Sequence, residues 1–368
     1  MFNATDHEFM ARALRLAALG LYSTTPNPRV GCVIVRDGVV VGEGWHRSAG
    51  EAHAEIIALQ SAGDRAHGAS VYVTLEPCCH HGRTPPCSEA LIAAGVRRVV
   101  AAMRDPNPQV AGRGLARLAA AGVDCACGLL EPEAQELNVG FVARMTRSRP
   151  WVRVKMAASL DGRTALADGT SQWITGPAAR ADGHRWRARA CAILTGSGTL
   201  AEDDPQLTVR GVDSARQPLK VLVDSRLELP LEARILTGGK LLIACAIDLS
   251  TREAKAKALR ALGAEMVSLS TAGGHVDLPA LLAELGRRGI NELHVEGGAR
   301  LNGALLAAGL ADELLIYLAP CLLGDAARGM LALPALESLE SKHSLTMCDV
   351  RMVGSDLRII ARPGPARR

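Results

Sequence analysis

The chain has 368 residues, room for two domains of ordinary size, each with its own core. Its net charge of +4 comes without a continuous stripe of Lys or Arg, which argues against a nucleic-acid partner, and no run of about 18 apolar residues offers a membrane span. The opening MFNATDHEFM lacks the basic-then-apolar pattern of a secretory signal, so a cytoplasmic setting is expected, and the ten cysteines should be free, buried or metal-bound rather than paired.

In chain order, DHEFMARALRLAALG reads as an amphipathic helix with Asp6 as its cap and Phe9, Ala13, Leu16 and Ala17 on one face. VGCVIVRDGVVVGEGWH is two apolar runs joined by Asp37-Gly38, a strong hairpin signal. Helices at AHAEIIALQSAG, SEALIAAG and GLARLAAAG then alternate with strands at SVYVTLE, RRVVAAM and VDCACGLL. That alternation predicts a mixed α/β layer with parallel crossovers. One further helix is expected over EPEAQELNVGFVARMTR, and the charged, proline-bearing SRP beyond it marks a boundary between domains 1–148 and 149–368. A second α/β pattern opens at WVRVKMAASLDGRT. Its strand candidates are CAILTG, PLKVLVDS, KLLIACA, EMVSL, NELHVEGG and DELLIYLAP, with helices at TREAKAKALRALG and LPALLAELGRRG, each closed by Gly. The tail ARPGPARR is expected to fray.

The stretch TLEPCCHHGRTPPC, residues 74–87, crowds thiols and imidazoles into one loop. Its Pro, His, Arg and Gly make a poor core, and reduced thiols exclude a disulfide staple, so metal ligation remains. Upstream, His53-Ala54-Glu55 opens a helix, and Cys87 opens another. Zinc takes neutral imidazole and thiolate, and a catalytic zinc keeps one of its positions for water. His53, Cys78 and Cys87 supply that ligand set, and two thiolates with one imidazole leave the ion nearly uncharged yet able to acidify its water. His53 and Cys87 sit at helix starts, where the dipole favours an anion. Glu55 flanks the metal without binding it and suits a proton shuttle from water to a departing amine. This resembles the H-x-E…P-C-x-x-C arrangement of zinc deaminases, except that eight residues, not two, separate Cys78 from Cys87. The alternative is a structural zinc closed by Cys79 or a loop histidine.

The longer spacing, together with TTPNPRVGCVIV, GEGWHRSAGEAHAE, DPNPQVAGRG and LNVGF, resembles the family of bifunctional riboflavin-biosynthesis deaminase/reductases. Cys79 stands where that family commonly carries Ser. The resemblance implies a cytidine-deaminase-like α/β/α domain followed by a dihydrofolate-reductase-like α/β domain. It also places Asn27 at the pyrimidine edge, although Asn between two prolines equally forms turns. His46, His80, His81 and Arg83 are further candidates to meet the substrate's phosphate or carbonyl, or to be solvated loop residues. Cys32, Cys125, Cys127, Cys191, Cys245, Cys321 and Cys348 sit mainly in apolar runs and read as buried small hydrophobes.

In the second half, HVEGGARLNGALLAAG is a strand, a glycine turn and a helix whose first amides suit a diphosphate, though it is not the G-x-G-x-x-G fingerprint. MAASLDGRTA, SQWITG, LTGSGTLAEDDPQLTVR and VLVDSR follow the order of the same family's reductase half. The resemblance implies NADPH against Ala157, Trp173, Thr199, Asp203, Ser225, Gly298, Ala299, Arg300, Leu301, Asn302, Gly303 and Ala304. It implies the ribose-phosphate substrate against Ser171, Arg187, Leu207, Arg210 and Glu296, with Asp203 as the second catalytic carboxylate. Arginines would clamp the phosphate, and a carboxylate would manage the proton that accompanies hydride arrival. Trp173 equally suits a core position, Asp204 reads as a structural turn residue, and Lys155 lies on the strand that enters the site. Ser225 and Arg226 suit the 2′-phosphate of NADPH, provided that Asp224 faces the other side of its strand.

The expected activity is therefore deamination of a phosphoribosyl-pyrimidine followed by reduction of its ribosyl group. The expected cofactors are zinc and NADPH, and a homodimer through the reductase domains is implied by the family. A deaminase of free bases or RNA, and a non-catalytic metal-stabilised binding module, are the rivals. Neither a basic stripe nor an aromatic platform favours RNA, and Glu55 beside an open metal position argues against the module.

Overall fold

A computed structural model describes residues 2–79 and 86–364, in two compact units, Met1–Ser148 and Arg149–Arg368. In the first unit the order is α1 (Ala4–Ala18), β1 (Gly31–Arg36), β2 (Val39–Trp45), α2 (Ala54–Ala62), β3 (Ser70–Val73), α3 (Cys87–Ala93), β4 (Arg98–Ala101), α4 (Arg113–Ala120), β5 (Asp124–Cys127), α5 (Glu131–Leu137) and α6 (Val139–Arg147). The five strands form one sheet in the order β2-β1-β3-β4-β5. Because β1 is antiparallel to both β2 and β3, while β3, β4 and β5 are parallel, every strand except β1 runs the same way.

Asp37 and Gly38 turn the β1–β2 hairpin with φ of 51° and 77°, the two left-handed residues that a tight hairpin needs. Helix α1 is capped by Asn3 rather than Asp6. Asp6 instead completes the capping box and, though buried, also accepts from the Tyr72 hydroxyl at 2.7 Å. The single helix expected over 131–147 is broken in two at Asn138, whose side chain accepts from Arg29 N–H at 2.8 Å and donates to Arg29 C=O at 2.9 Å. Satisfying that buried main-chain pair outweighs continuing the helix. With few aromatics, Ala, Val, Leu and Ile fill the cores on both faces of the sheet.

The second unit contains β6 (Trp151–Ser159), β7 (Arg163–Ala165), α7 (Pro177–Arg189), β8 (Ala192–Gly196), α8 (Ser197–Asp203), β9 (Leu219–Val223), β10 (Leu241–Cys245), α9 (Glu253–Ala261), β11 (Ala264–Ser268), α10 (Leu278–Arg287), β12 (Glu292–Val295), α11 (Ala299–Ala307), β13 (Glu313–Ala319), β14 (Arg328–Gly329), β15 (Leu345–Val353) and β16 (Asp356–Pro363). Nine strands form a sheet in the order β11-β10-β9-β8-β12-β6-β13-β16-β15, and β7 pairs with β14 apart from it. The seven from β11 to β13 are parallel and their near-continuous apolar runs are buried, as a sheet covered on both faces requires.

The terminal hairpin β15–β16 and helix α7 were not foreseen. The tail does not fray from its start, since β16 extends through Pro363. Cys321 and Cys348 are exposed rather than buried: Cys348 lies on edge strand β15 and Cys321 just beyond β13. All ten cysteines are free, and no helix among the described residues is long and apolar enough to cross a membrane.

Candidate functional sites

In the first unit the loops that follow β2, β3 and β4 leave one edge of the sheet. Helix α2 lies directly on β2 at Gly44, where a side chain would come within 2.4 Å of Ala54 O. That approach fixes the helix start, with His53 as its N-cap and Glu55 in its first turn. Cys87 is the first residue of α3, and its N–H donates to Cys78 Sγ at 3.3 Å. His53 Nδ1 lies 3.2 Å from Cys87 Sγ and 3.6 Å from Cys78 Sγ, and the ligand atoms of all three residues fall within 4.8 Å of one another. Two thiols and an imidazole nitrogen facing one point fit zinc with a position left over, and Cys79 is not among the clustered residues.

A bond from Cys87 holds the Cys78 thiol below its ordinary range, and the same bond with burial pushes the Cys87 thiol up. Burial, with the Cys78 charge beside it, raises the Glu55 carboxyl to about 7. His46 packs edge-on to His53, with ring centres 5.4 Å apart. Its Nδ1 lies 3.1 Å from Ala52 C=O, which only accepts, so Nε2 is the acceptor for the Asn27 amide at 3.0 Å. The Asn27 oxygen is thereby left for another donor. His80, His81 and Arg83 lie outside the described residues.

Glu76 gave no signal in the sequence beyond its place beside Pro77-Cys78. It is buried, one oxygen accepting from Asp105 and Gly112 N–H at 3.1 and 2.8 Å, the other from Gly114 and Leu115 N–H at 2.9 and 3.2 Å. It ties the DPNPQVAGRG loop and the start of α4 to the ligand loop, and Gly114 has no room for a side chain against Pro77 O.

In the second unit β6, β8, β9 and β12 are parallel, so their following turns share an edge, where ligands bind open α/β sheets. Ala157 lies on β6, Thr199 on α8, Ser225 just beyond β9, and Gly298 caps α11. A side chain at Gly298 would stand 3.5 Å from the Thr199 hydroxyl, so these two turns meet. No side chain caps the first amides of α11, which are open to a diphosphate. Ala299, Arg300, Leu301 and Ala304 are at least partly accessible, whereas Asn302 and Gly303 turn inward, Asn302 donating to Gly297 C=O at 3.0 Å and Gly303 packing on Ala332.

Trp173 is 71 % exposed, with the Arg180 guanidinium 4.7 Å from its ring centre, so it is no core anchor. The Ser171 hydroxyl donates to Asp203 at 3.4 Å. Asp204 accepts from Arg234 N–H at 2.9 Å and Asp224, which is buried, from Leu229 N–H at 2.8 Å, so both carboxylates are engaged within the fold. Open helix amides and a hydroxyl-bearing turn along one sheet edge fit a dinucleotide.

Arg187 grips Glu296 through two bonds of 2.5 and 2.8 Å. Although burial alone would raise it, this pairing holds the Glu296 carboxyl well below the usual range. Burial lowers Lys155, with Glu296 partly offsetting it. Arg210 is exposed and its guanidinium has no ion-pair partner among the described residues, while the Leu207 side chain is buried and only its main chain is free to meet a ligand.

The comparisons with known proteins follow this division. Residues 3–103 match the family described as the cytidine and deoxycytidylate deaminase zinc-binding region, and residues 150–354 match the RibD C-terminal domain. The riboflavin biosynthesis protein RibD of Escherichia coli K12 is 50% identical over 365 residues, 96% of this chain and 98% of that protein. Its counterpart in Haemophilus influenzae is 44% identical, with 98% of each chain covered. Among solved structures, Acinetobacter baumannii RibD superposes with a TM-score of 0.91 at 43% identity, covering 98% of this chain and 99% of that one. The Thermotoga maritima diaminohydroxyphosphoribosylaminopyrimidine deaminase/5-amino-6-(5-phosphoribosylamino)uracil reductase gives 0.87 at 32% identity, with 98% and 99% covered.

A zinc deaminase and a reductase in one chain define a bifunctional enzyme of pyrimidine processing. The chain belongs to the RibD family, the deaminase/reductase of riboflavin biosynthesis, whose two domains use zinc and NADPH.

Purified protein should carry about one zinc per chain, from three ligands and an open position. Cys87→Ser should lose the metal and deamination together, and Cys79→Ser should retain both. Elemental analysis beside an ammonia assay decides it; loss on the Cys79 change alone would displace this ligand set.

Proposed function

We propose that the N-terminal unit hydrolyses the 2-amino group of 2,5-diamino-6-ribosylamino-4(3H)-pyrimidinone 5′-phosphate, and that the C-terminal unit reduces the ribosyl group of the product to ribityl with NADPH. The observation that carries the first half is the convergence of His53, Cys78 and Cys87 beside the buried carboxyl of Glu55. When bound, zinc would supply a water acidic enough to attack near neutral pH. Glu55 is placed to pass the two protons of that water on, one to the ring nitrogen beside the attacked carbon and one to the departing amine, so that a ring carbonyl and ammonia would result. A carboxyl raised by burial to about 7 suits both halves of that transfer. Asn27, its amide fixed by His46, offers its oxygen to the pyrimidine edge.

In the reductase unit, Gly298 to Ala304, Thr199, Trp173, Ala157 and Ser225 hold the cofactor. When bound, NADPH would supply the hydride for C1′ of the sugar, where the bond to the ring oxygen would break and that oxygen would take a proton. Both oxygens of Glu296 are taken by Arg187, whereas Asp203 is exposed and touched by Ser171, which favours Asp203 as the carboxylate that manages the proton. Arg187, Arg210, Ser171 and the Leu207 main chain receive the ribose phosphate.

A cytoplasmic setting suits ten unpaired cysteines. A second copy of the chain is the partner that fits edge strand β15, where Met347, Val350 and Met352 are exposed. Sedimentation should give a dimer that Met352→Lys weakens; a monomer at micromolar concentration would contradict this pairing.

Glu55→Gln should keep zinc yet cut ammonia release by at least about a hundredfold, the usual contribution of a positioned acid–base. NADPH oxidation on supplied intermediate should survive, because other residues perform it. Ammonia release near the unmodified rate would remove Glu55 from this role.

Cofactor choice tests the β9 end. With Asp224 turned inward, Ser225 and Arg226 meet the 2′-phosphate, so NADPH should be clearly preferred. Ser225→Asp should raise the NADPH KM about tenfold, since a charge-assisted contact is worth roughly 1.5–3 kcal/mol. Equal efficiency with NADH in the unmodified enzyme would overturn that assignment.

A further inference from the structure

The segment that presents Arg210 is gripped at three successive residues by side chains from outside it. Thr208 C=O accepts from Arg187 Nη1 at 3.0 Å. Gln217 takes both main-chain groups of Val209, accepting from its N–H at 2.8 Å and donating to its C=O at 3.2 Å. Arg210 N–H donates to Nδ1 of His184 at 3.2 Å. His184 and Arg187 stand three apart on α7 and so share one face of the helix, from which both reach the segment. At its start Leu207 has a φ of 52°, a left-handed backbone that a branched side chain adopts at some cost and that neighbouring bonds must hold.

Held this way, the segment's main chain is fixed while the Arg210 side chain is left free. Long side chains bind weakly when their own ordering must be met at the moment of binding, and fixing the backbone beneath one removes part of that cost. The grip from His184 requires a neutral ring with a lone pair on Nδ1, because an imidazolium has two donors and no acceptor. Burial, and then the charges of Arg187 and Arg210, push His184 down to about 4, so the ring remains an acceptor at neutral pH; Glu296 acts against them and Lys155 with them.

We infer that His184, seconded by Gln217, is a positioning residue of the reductase: its Nδ1 holds the Arg210 main chain so that the guanidinium is set for the substrate phosphate. The inference rests on the reading of Arg210 as a phosphate ligand.

The test is steady-state kinetics with the deaminated phosphoribosyl intermediate and NADPH. His184→Ala should raise the KM for the intermediate about three- to tenfold, the worth of one neutral hydrogen bond, with kcat and the NADPH KM nearly unchanged. His184→Asn should recover most of the loss, because its amide oxygen can stand where Nδ1 stood. In an Arg210→Ala background, His184→Ala should add nothing, as a residue acting through another must. Failure of His184→Asn to recover, or full additivity with Arg210→Ala, would overturn the inference. So would a general fall in kcat with both KM values altered, which would mark a contact that merely holds the fold. If Arg210→Ala raises the KM and His184→Ala does not, the inference fails and the phosphate reading stands. If Arg210→Ala leaves the KM unchanged, the phosphate reading itself fails.

Discussion

Parallel strands deliver whatever follows them to a single edge of their sheet, and both sites exist because of that constraint. In the first unit β2, β3 and β4 run the same way. The chain after β2 brings His53 and Glu55, the chain after β3 brings Cys78 and Cys87, and the chain after β4 brings the loop that Glu76 ties down. In the second unit β8, β9 and β12 deliver the turns carrying Thr199, Ser225 and Gly298. Each site is assembled from segments distant in sequence, with no long structured loop needed to bridge them. His53 and Cys87 then inherit their positions from helix starts, and Cys78 from the loop that Glu76 holds.

Two glutamates show how environment divides roles within one chain. Glu55 has burial and a neighbouring thiolate acting against its charge, and its carboxyl rises to about 7. Glu296 is only partly buried, and the doubly bonded Arg187 outweighs that burial and keeps it ionised. The first can exchange a proton near neutral pH, and the second serves as a fixed charge that orders Arg187. Each bond Arg187 makes, to Glu296 and to Thr208 C=O, also places the segment carrying Arg210.

The metal cluster was legible because its chemistry is scarce: few patterns other than ligation explain His53 and Cys87 at helix starts with Cys78 in the loop between them. The Asp37-Gly38 hairpin and the parallel strands of both sheets were legible from turn residues and apolar runs. Helix α7 was not, because PAARADGHRWRAR is polar on most sides and gives little periodicity, so His184 carried no signal as a functional residue. The break at Asn138 and the choice of Asn3 over Asp6 as a cap depend on partners far along the chain, Arg29, Tyr72 and Arg98, which local reading cannot see. Strands β15 and β16 lack a buried apolar rhythm, since β15 is an exposed edge, and the cysteine it carries is exposed for the same reason. In the reductase site a residue's type suggested contact, but only the fold showed which face it presents, as Asn302, Gly303 and Leu207 illustrate.

The central claim is a zinc held by three residues of this chain with one position kept for water, and X-ray absorption at the zinc edge reads it directly. The account predicts two sulfur neighbours at about 2.3 Å and two nitrogen or oxygen neighbours at about 2.0–2.1 Å, one of the latter exchangeable with small anions. A shell of three sulfurs, which would bring Cys79 onto the metal and close the site, would contradict it.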